Sequence, residues 1–447
     1  MENIEKTKKM TTQPVAKLIN ELAVPTIISM LITSIYNMAD TFFVAQIKNS
    51  SATAAVGVVF ALMALIQAIG FFCGHGSGNY MSRMLGAGKV ENAKRMAVTG
   101  FVLAMILGMC LSCSGLLFID EFARILGSTP TMMPYTTAYL RYVLLGAPFM
   151  CAGLVMNNQL RFQGNAMFAM IGITTGGILN IFLDPLFIFG FNLGVAGAAI
   201  ATLLSQVISF VILLIGIFKS DSLNYTITLI SLNKYYIHQI FKGGLPSLAR
   251  QGLGSISTAV LNLCTGQFGD AAIAGVSIVT RVMQFCCSVV TGFGQGFQPV
   301  CGFNYGARKF ERVKEGFWYA VKVGTIFTSI VSVVVFIFAP QIVNSFQGND
   351  QLIVSVGSSS LRFQCISFSF TAFIIMANMM LQVCGKTVNA TILAASRQGL
   401  FLIPTVIILP IFFGLLGIEV AQMIADIASF IICVPMVKNF LFVISQE

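Results

Sequence analysis

Residues 74–95, GHGSGNYMSRMLGAGKVENAKR, recur without a gap as residues 294–315, GQGFQPVCGFNYGARKFERVKE. Seven of the 22 positions are identical: Gly74, Gly76, Gly86, Ala87, Lys89, Glu91 and Lys94 each find the same residue 220 positions on. Further matches follow in order. Residues 140–164 match 361–385 at six of 25 positions, including Leu140-Arg141 against Leu361-Arg362 and Asn157 against Asn378. Residues 194–210 match 414–430 at five of 17, and Pro25 pairs with Pro246. Apolar sequence produces chance identities, but four matches in order at nearly one offset indicate a duplicated unit.

The unit is built for a bilayer. Of 447 residues 56% are apolar and 9% charged, against roughly 25% charged in a soluble domain. Soluble enzymes and disordered chains are excluded, and so are outer-membrane barrels, whose strands alternate polar and apolar residues. A spanning helix needs about 20 apolar residues, so the chain has room for about twelve. The spans are read near 22–45, 52–80, 94–119, 136–160, 166–191, 194–218, 245–268, 271–301, 317–343, 356–384, 388–412 and 415–438. The predicted fold is all-α and polytopic, with twelve transmembrane helices in two six-helix bundles. An even number of spans per repeat makes the bundles parallel, related by a pseudo-twofold along the membrane normal. The expected division is a first lobe over 1–218, a cytoplasmic linker over 219–244 and a second lobe over 245–447.

Net charge is +10, which in a soluble protein points to nucleic acid. Here 20 of the 26 basic residues fall in connections on one side: the N-terminal stretch, 81–95, the 161–165 turn with Arg161, 219–244, 306–322, 385–397 with Arg397, and the C-terminal stretch. The opposite connections hold Lys48, Arg124 and Arg141 beside Asp120, Glu121, Asp270 and Asp350. The positive-inside rule then puts both ends in the cytoplasm, and no nucleic-acid partner is expected. The first apolar run lacks a cleavage site and leads into further spans, so it reads as a span and not a signal peptide. The eleven Cys lie mostly within apolar runs and there are two His, which leaves no zinc site.

An ionisable group at membrane depth costs about 2.5–3.5 kcal/mol on insertion scales and is a functional candidate by default. The first lobe has two, Asp40 in IYNMADTFFVA and Asp184 in NIFLDPLFIF, and their counterparts at offset 221 are Leu261 and Thr405. Counting at 1.5 Å per residue puts Asp40 roughly 8 Å, Asp184 roughly 10 Å and Thr202 roughly 12 Å below the outer ends of their spans. Asn180 precedes Asp184 by one helical turn and shares its face. Two carboxylates, an amide and a hydroxyl at one level are hard oxygen ligands for a small cation, or for a proton shared between acids. Bland readings compete: Asp40 and Asp184 as solvated span ends, Asn180 and Thr202 as helix–helix glue. Pro25 interrupts the first span as a hinge, or else as a static kink or a first-turn proline. His75 reads as a packing position, and Arg250 and Arg281 as snorkelling or structural pairs. Asp426 is deep, but no role follows for it. A subset of Phe and Met would line an adaptable apolar cavity.

With these features the sequence resembles the multidrug and toxic compound extrusion (MATE) family, and is most similar to its DinF-like and MepA-like bacterial branches. The resemblance covers essentially the whole chain, with LGAGKVENAK and its echo YGARKFERVK after spans 2 and 8. It implies that Asp40, Asn180, Asp184 and Thr202 form a cation (H+ or Na+) site, that Pro25 permits bending of the first span, and that Tyr36 and Asn157 are polar residues near the site or substrate. The acids in spans 7 and 10 found in the NorM-like branch have no match here, so that site is not carried over. The resemblance further implies a monomeric, multi-pass bacterial inner-membrane antiporter, not an enzyme. It would export small organic cations and amphipathic drugs by alternating access, with no cofactor and with Na+ or H+ as coupling ion. The alternative is a lipid-linked oligosaccharide flippase of the same superfamily, disfavoured because the deep first-lobe charges are acidic. No phosphate-binding G-x-x-x-x-G-K-[ST] loop is present for an ATP-driven pump.

Overall fold

The computed structural model describes residues 2–47, 49–219, 225, 229–231, 233–346 and 350–446. Lys48 and linker positions 220–224, 226–228 and 232 lie outside the described residues. A short helix α1 (Glu2–Thr12) precedes the first lobe, which comprises α2 (Val15–Ala45), α3 (Ser50–Gly86), α4 (Val90–Leu117), the short α5 (Ile119–Ile125), α6 (Met133–Phe162), α7 (Ala166–Pro185) and α8 (Gly194–Phe218). The second lobe follows with α9 (Lys234–Gly266), α10 (Asp270–Gly306), α11 (Phe310–Ile337), the short α12 (Ala339–Phe346), α13 (Gln351–Val383), α14 (Thr387–Ala395), α15 (Leu402–Phe413) and α16 (Leu415–Gln446). Helices α14 and α15 are two halves of one span joined by a π turn at Ser396–Leu400, so the spans number twelve.

Eleven of these runs are long and apolar enough to cross a bilayer by composition. The twelfth is α9, 33 residues long, which carries Lys234, His238, Lys242 and Arg250. It begins at Lys234, so residues 234–244 of the expected linker are helix. Several helices overrun their apolar cores by two or more turns because nothing in the sequence stops them until a turn does. Interior prolines such as Pro148, Pro246 and Pro435 do not end their helices, as membrane packing permits.

The duplication is visible atom by atom. The turn after α3 has Gly88 at φ 74° and the turn after α10 has Arg308 at φ 57°. Each closes with the same backbone bond, Lys89 N to Met84 O and Lys309 N to Asn304 O, both 2.8 Å. Asn157 Nδ2 donates to Ala169 O (2.9 Å), and Asn378 Nδ2 donates to Ala390 O (2.7 Å).

The lobes meet on the side that carries both termini. There one core joins Leu18, Ile19 and Ala23 of α2 to Phe297, Val300 and Phe317 of the second lobe. Away from that side each lobe has a core of its own, one including Val59, Tyr139 and Ala198 and the other including Val276, Val406 and Ile418. Cross-lobe hydrogen bonds between described residues run from Asn304–Met10 (3.1 Å) through Thr26–Gly292 (2.6 Å) to Ser34–Ser288 (2.7 Å) and stop there. The molecule is therefore closed at the terminal side and opens away from it.

That closure needs two glycines related by the repeat. A Cβ on Gly86 would strike the Phe303 carbonyl, and one on Gly306 would strike the Arg83 carbonyl. Neither backbone can yield, and overpacking of this kind costs on the order of 1–3 kcal/mol. Gly57, in the exposed part of α3, meets nothing within 4 Å. Gly306→Val is expected to lower the thermal unfolding temperature of the purified protein, whereas Gly57→Ala raises it or leaves it unchanged, gaining about 0.5–1 kcal/mol of helix propensity. Equal effects in an unfolding scan would contradict this account of the closure.

Candidate functional site

Three helices of the first lobe deliver the acidic cluster. Asp184 is fully buried at the end of α7, where Pro185 and the π turn Leu186–Gly190 interrupt regular hydrogen bonding. One turn earlier on the same face, Asn180 is 3% exposed. Its Nδ2 donates to Asp184 Oδ1 (3.2 Å) and reaches Thr202 Oγ1 of α8 (3.4 Å). Asp40 enters from α2, half-buried, close enough for its charge to act on Asp184. Asp40 Oδ1, Asp184 Oδ2 and Asn180 Oδ1 are all buried with no hydrogen-bond partner. A buried unpaired oxygen is costly, and two of these three belong to Asn180 and Asp184, which a hydrogen bond already joins. The donor set is all oxygen, and among the described residues no cluster of His, Cys, Asp or Glu could hold a transition metal. What fits these atoms is a small hard cation or a proton.

Each residue named from sequence has a definite place. Asn180, Asp184 and Thr202 are joined by hydrogen bonds, and Asp40 approaches them from α2 with no bond to any of the three. Tyr36, one turn before Asp40, feels the Asp40 charge and lines the pocket described below. Asn157 lines the same pocket, but its amide is engaged by the Ala169 carbonyl, a bond duplicated in the second lobe. Pro25 is buried ten residues after the start of α2, so it is an interior proline and not a first-turn one. The helix runs through it unbroken. Ser29 Oγ donates to the Pro25 carbonyl (2.9 Å), and Thr26 ties the same turn to Gly292.

Tyr139 was not singled out by sequence. It is fully buried on α6, beside Thr202 and within reach of the charges of Asp40 and Asp184. Nothing in its local sequence distinguishes it from other membrane tyrosines, because its position depends on how α6 is rotated against α8.

A pocket of about 860 Å3, counting the space open to solvent, starts at this cluster and extends toward the lobe boundary. Tyr36, Asn180 and Thr202 form one end, and Arg161 and Gln295 lie at the other. Of the many Phe and Met residues, Met30, Phe71 and Met150 line it.

Two basic residues are not where sequence put them. Arg161, expected in a solvated turn, is 2% exposed in the last turn of α6. Arg397, counted with the basic stretch 385–397 although the 388–412 span contains it, lies inside that span, in the π turn between α14 and α15. There its Nε meets Asp426 Oδ1 at 2.8 Å. Asp426 also accepts from Gln422 (2.9 Å) and Ser367 (3.3 Å). In the first lobe the position matching Asp426 is Gln206, which lines the pocket. The second lobe thus carries a built-in guanidinium on its acid, and the first lobe leaves its acids open.

Comparison with known proteins agrees with the duplication. The MatE family model matches the chain twice, over residues 25–186 and 246–408. The chain is 31% identical over 415 residues to the multidrug export protein MepA of Staphylococcus aureus (strain MRSA252), covering 92% of this chain and 91% of that one. It is 29% identical over 405 residues to MepA of Staphylococcus saprophyticus, covering 90% and 89%. Among solved structures it is similar to an outward-facing multidrug resistance MATE family transporter of the MOP superfamily, with a TM-score of 0.93 at 26% identity over 100% of this chain and 99% of that one.

The Arg397–Asp426 pair makes a stability prediction. Removing one partner of a buried pair costs about 3–5 kcal/mol, while replacing both by apolar groups is often neutral. Arg397→Ala is expected to lower the unfolding temperature markedly, and the double variant Arg397→Met/Asp426→Leu to recover most of the loss. An Arg397→Ala protein as stable as the parent would show that the pair is solvated.

Proposed function

The chain belongs to the MatE family and is a multidrug efflux transporter of the membrane, not an enzyme; from that premise we propose that it expels amphipathic organic cations in exchange for an inward H+ or Na+ held by Asp40, Asp184, Asn180 and Thr202. The observation that carries this reading is the set of partnerless buried oxygens on Asp40, Asp184 and Asn180. A cation or proton is the partner they lack. The second lobe is not a rival site, because Asp426 is already neutralised by Arg397.

The exchange follows from competition. The pocket wall includes Tyr36, Asn180 and Thr202, so a drug in the pocket and a cation on the acids bias the same helices. A ligand shifts a conformational equilibrium only by its differential affinity for the two states. Cation binding draws Asp40 of α2 toward Asp184 of α7 and so moves α2 against the pocket. Pro25 lacks the N–H that would tie it to the preceding turn, and this is where α2 yields. Drug leaves through the open side, and the cation is released after the lobes rock to open at the other.

The basic connections surround the terminal side, which by the positive-inside rule faces the cytoplasm. The open side then faces out, the direction an exporter requires for release. The two lobes, 1–218 and 245–447, act as the rocking bodies, and one chain holds a complete site, so a monomer suffices.

The test uses proteoliposomes with Na+ and pH gradients imposed separately and ethidium as the transported cation. One of the two gradients is expected to drive uphill ethidium movement. Asp40→Asn and Asp184→Asn are each expected to abolish it while downhill exchange survives. Uphill transport at the parental rate in both variants would overturn the site assignment.

A further inference from the structure

At the lobe boundary the pocket ends on a positive charge that the chain does not neutralise. Arg161 Nη2 donates to Asn158 Oδ1 (2.6 Å) and lies 3.3 Å from His75 Nε2. Its Nη1 donates across the boundary to Gln295 Oε1 of α10. Its Nε, also buried, has no partner. All these partners are neutral groups, and none of the ion pairs among described residues includes Arg161. Across the boundary, on α9 of the opposite lobe and one turn after Ser247, stands a second guanidinium, Arg250. Arg250 is itself bonded to a neutral oxygen, Asn378 Oδ1 at 3.2 Å. His75 links the two sides, its Nε2 facing Arg161 and its Nδ1 bonded to Ser247 Oγ (2.8 Å), three residues before Arg250.

Two guanidinium groups from opposite lobes therefore flank the His75–Ser247 contact, and among the described residues neither makes an ion pair. Burying such charges unpaired is costly, and this chain pairs its other deep arginine, Arg397, with a carboxylate. A planar guanidinium with a free N–H matches carboxylate and phosphate oxygens. The same pocket is lined at its other end by Thr202 and by Asn180, whose amide bonds Asp184.

We infer that Arg161 and Arg250 form a subsite for an acidic group on the transported molecule, so that the preferred substrates are zwitterionic amphiphiles. Their ammonium end points to Asp40 and Asp184, and their carboxylate or phosphate end to the arginines. The inference rests on the export reading above. It also explains why the arginines sit where the lobes meet: an acidic group there bridges Arg161 and Arg250, and its departure leaves two like charges on either side of the boundary.

The experiment compares rhodamine 110 with rhodamine 123, which share a cationic xanthene ring and differ by a free carboxylate against its methyl ester. Binding to the purified full-length protein is followed by fluorescence polarisation. Dodecylphosphocholine and dodecyltrimethylammonium, as competitors of rhodamine 123, pose the same question for phosphate. The parent protein is expected to prefer the acidic member of at least one pair by about tenfold, the scale of one charge-assisted hydrogen bond. Which pair shows it identifies the acid. In Arg161→Gln and Arg250→Gln the preference is expected to shrink to within about twofold. Arg250→Gln loses one neutral partner only and decides the matter if Arg161→Gln does not fold. If the parent binds rhodamine 123 without preference in either pair, or Arg250→Gln keeps the preference, the inference is overturned and the export reading stands. If the parent binds neither dye, the export reading falls and the inference falls with it.

Discussion

A carboxylate inside a bilayer must have a partner, because no water is there to supply one. This constraint sorts the acids of the chain. Asp426 is covered by Arg397, Gln422 and Ser367, and Glu419 by Ser359. Asp40 and Asp184 keep a buried oxygen each with nothing to meet it. The first group belongs to the architecture, and the second is left with oxygens that no described side chain meets.

The duplicated fold turns that local asymmetry into a direction. Both lobes repeat the same turns and the same asparagine-to-carbonyl bond, so they have the same skeleton. They cross at Gly86 and Gly306 on the terminal side, where the shared core lies, and separate beyond Ser34–Ser288. The partnerless carboxylate oxygens among the described residues, on Asp40 and Asp184, both belong to the first lobe, on α2 and α7. The proline of α2 lies at the level where α2 crosses α10, with Ala23 and Ile27 packed on Gly296 and Gly292. A change of shape in α2 is thus felt at the contact that holds the lobes together.

The pocket differs at its two ends. Asn180, bonded to Asp184, and Thr202 line one, and Arg161 lines the other. Between them lie Met30, Phe71 and Met150, soft side chains that adapt to varied apolar shapes. Recognition by polar groups at the ends and by adaptable apolar surface in the middle suits a range of amphiphiles.

Much of this was legible before any coordinates. Apolar runs of spanning length show twelve helices, since a bilayer leaves the backbone few alternatives. The matched segments around 74–95 and 294–315 show two parallel halves, since ancestry survives in turns even where lipid-facing residues drift. Counting along three helices brings Asp40, Asn180, Asp184 and Thr202 to one depth. Depth is a one-dimensional quantity, and a sequence contains it. Rotation and pairing are not, and there the sequence misleads: Arg161 and Arg397 count with the basic connections, yet the first is buried against the opposite lobe and the second is ion-paired within a span. Tyr139 reads as nothing in particular and stands beside the acids. Sequence alone determined the number of spans and their duplication. Only the tertiary structure decided which charges have partners, because a partner comes from another helix whose azimuth is set by packing and not by its own residues.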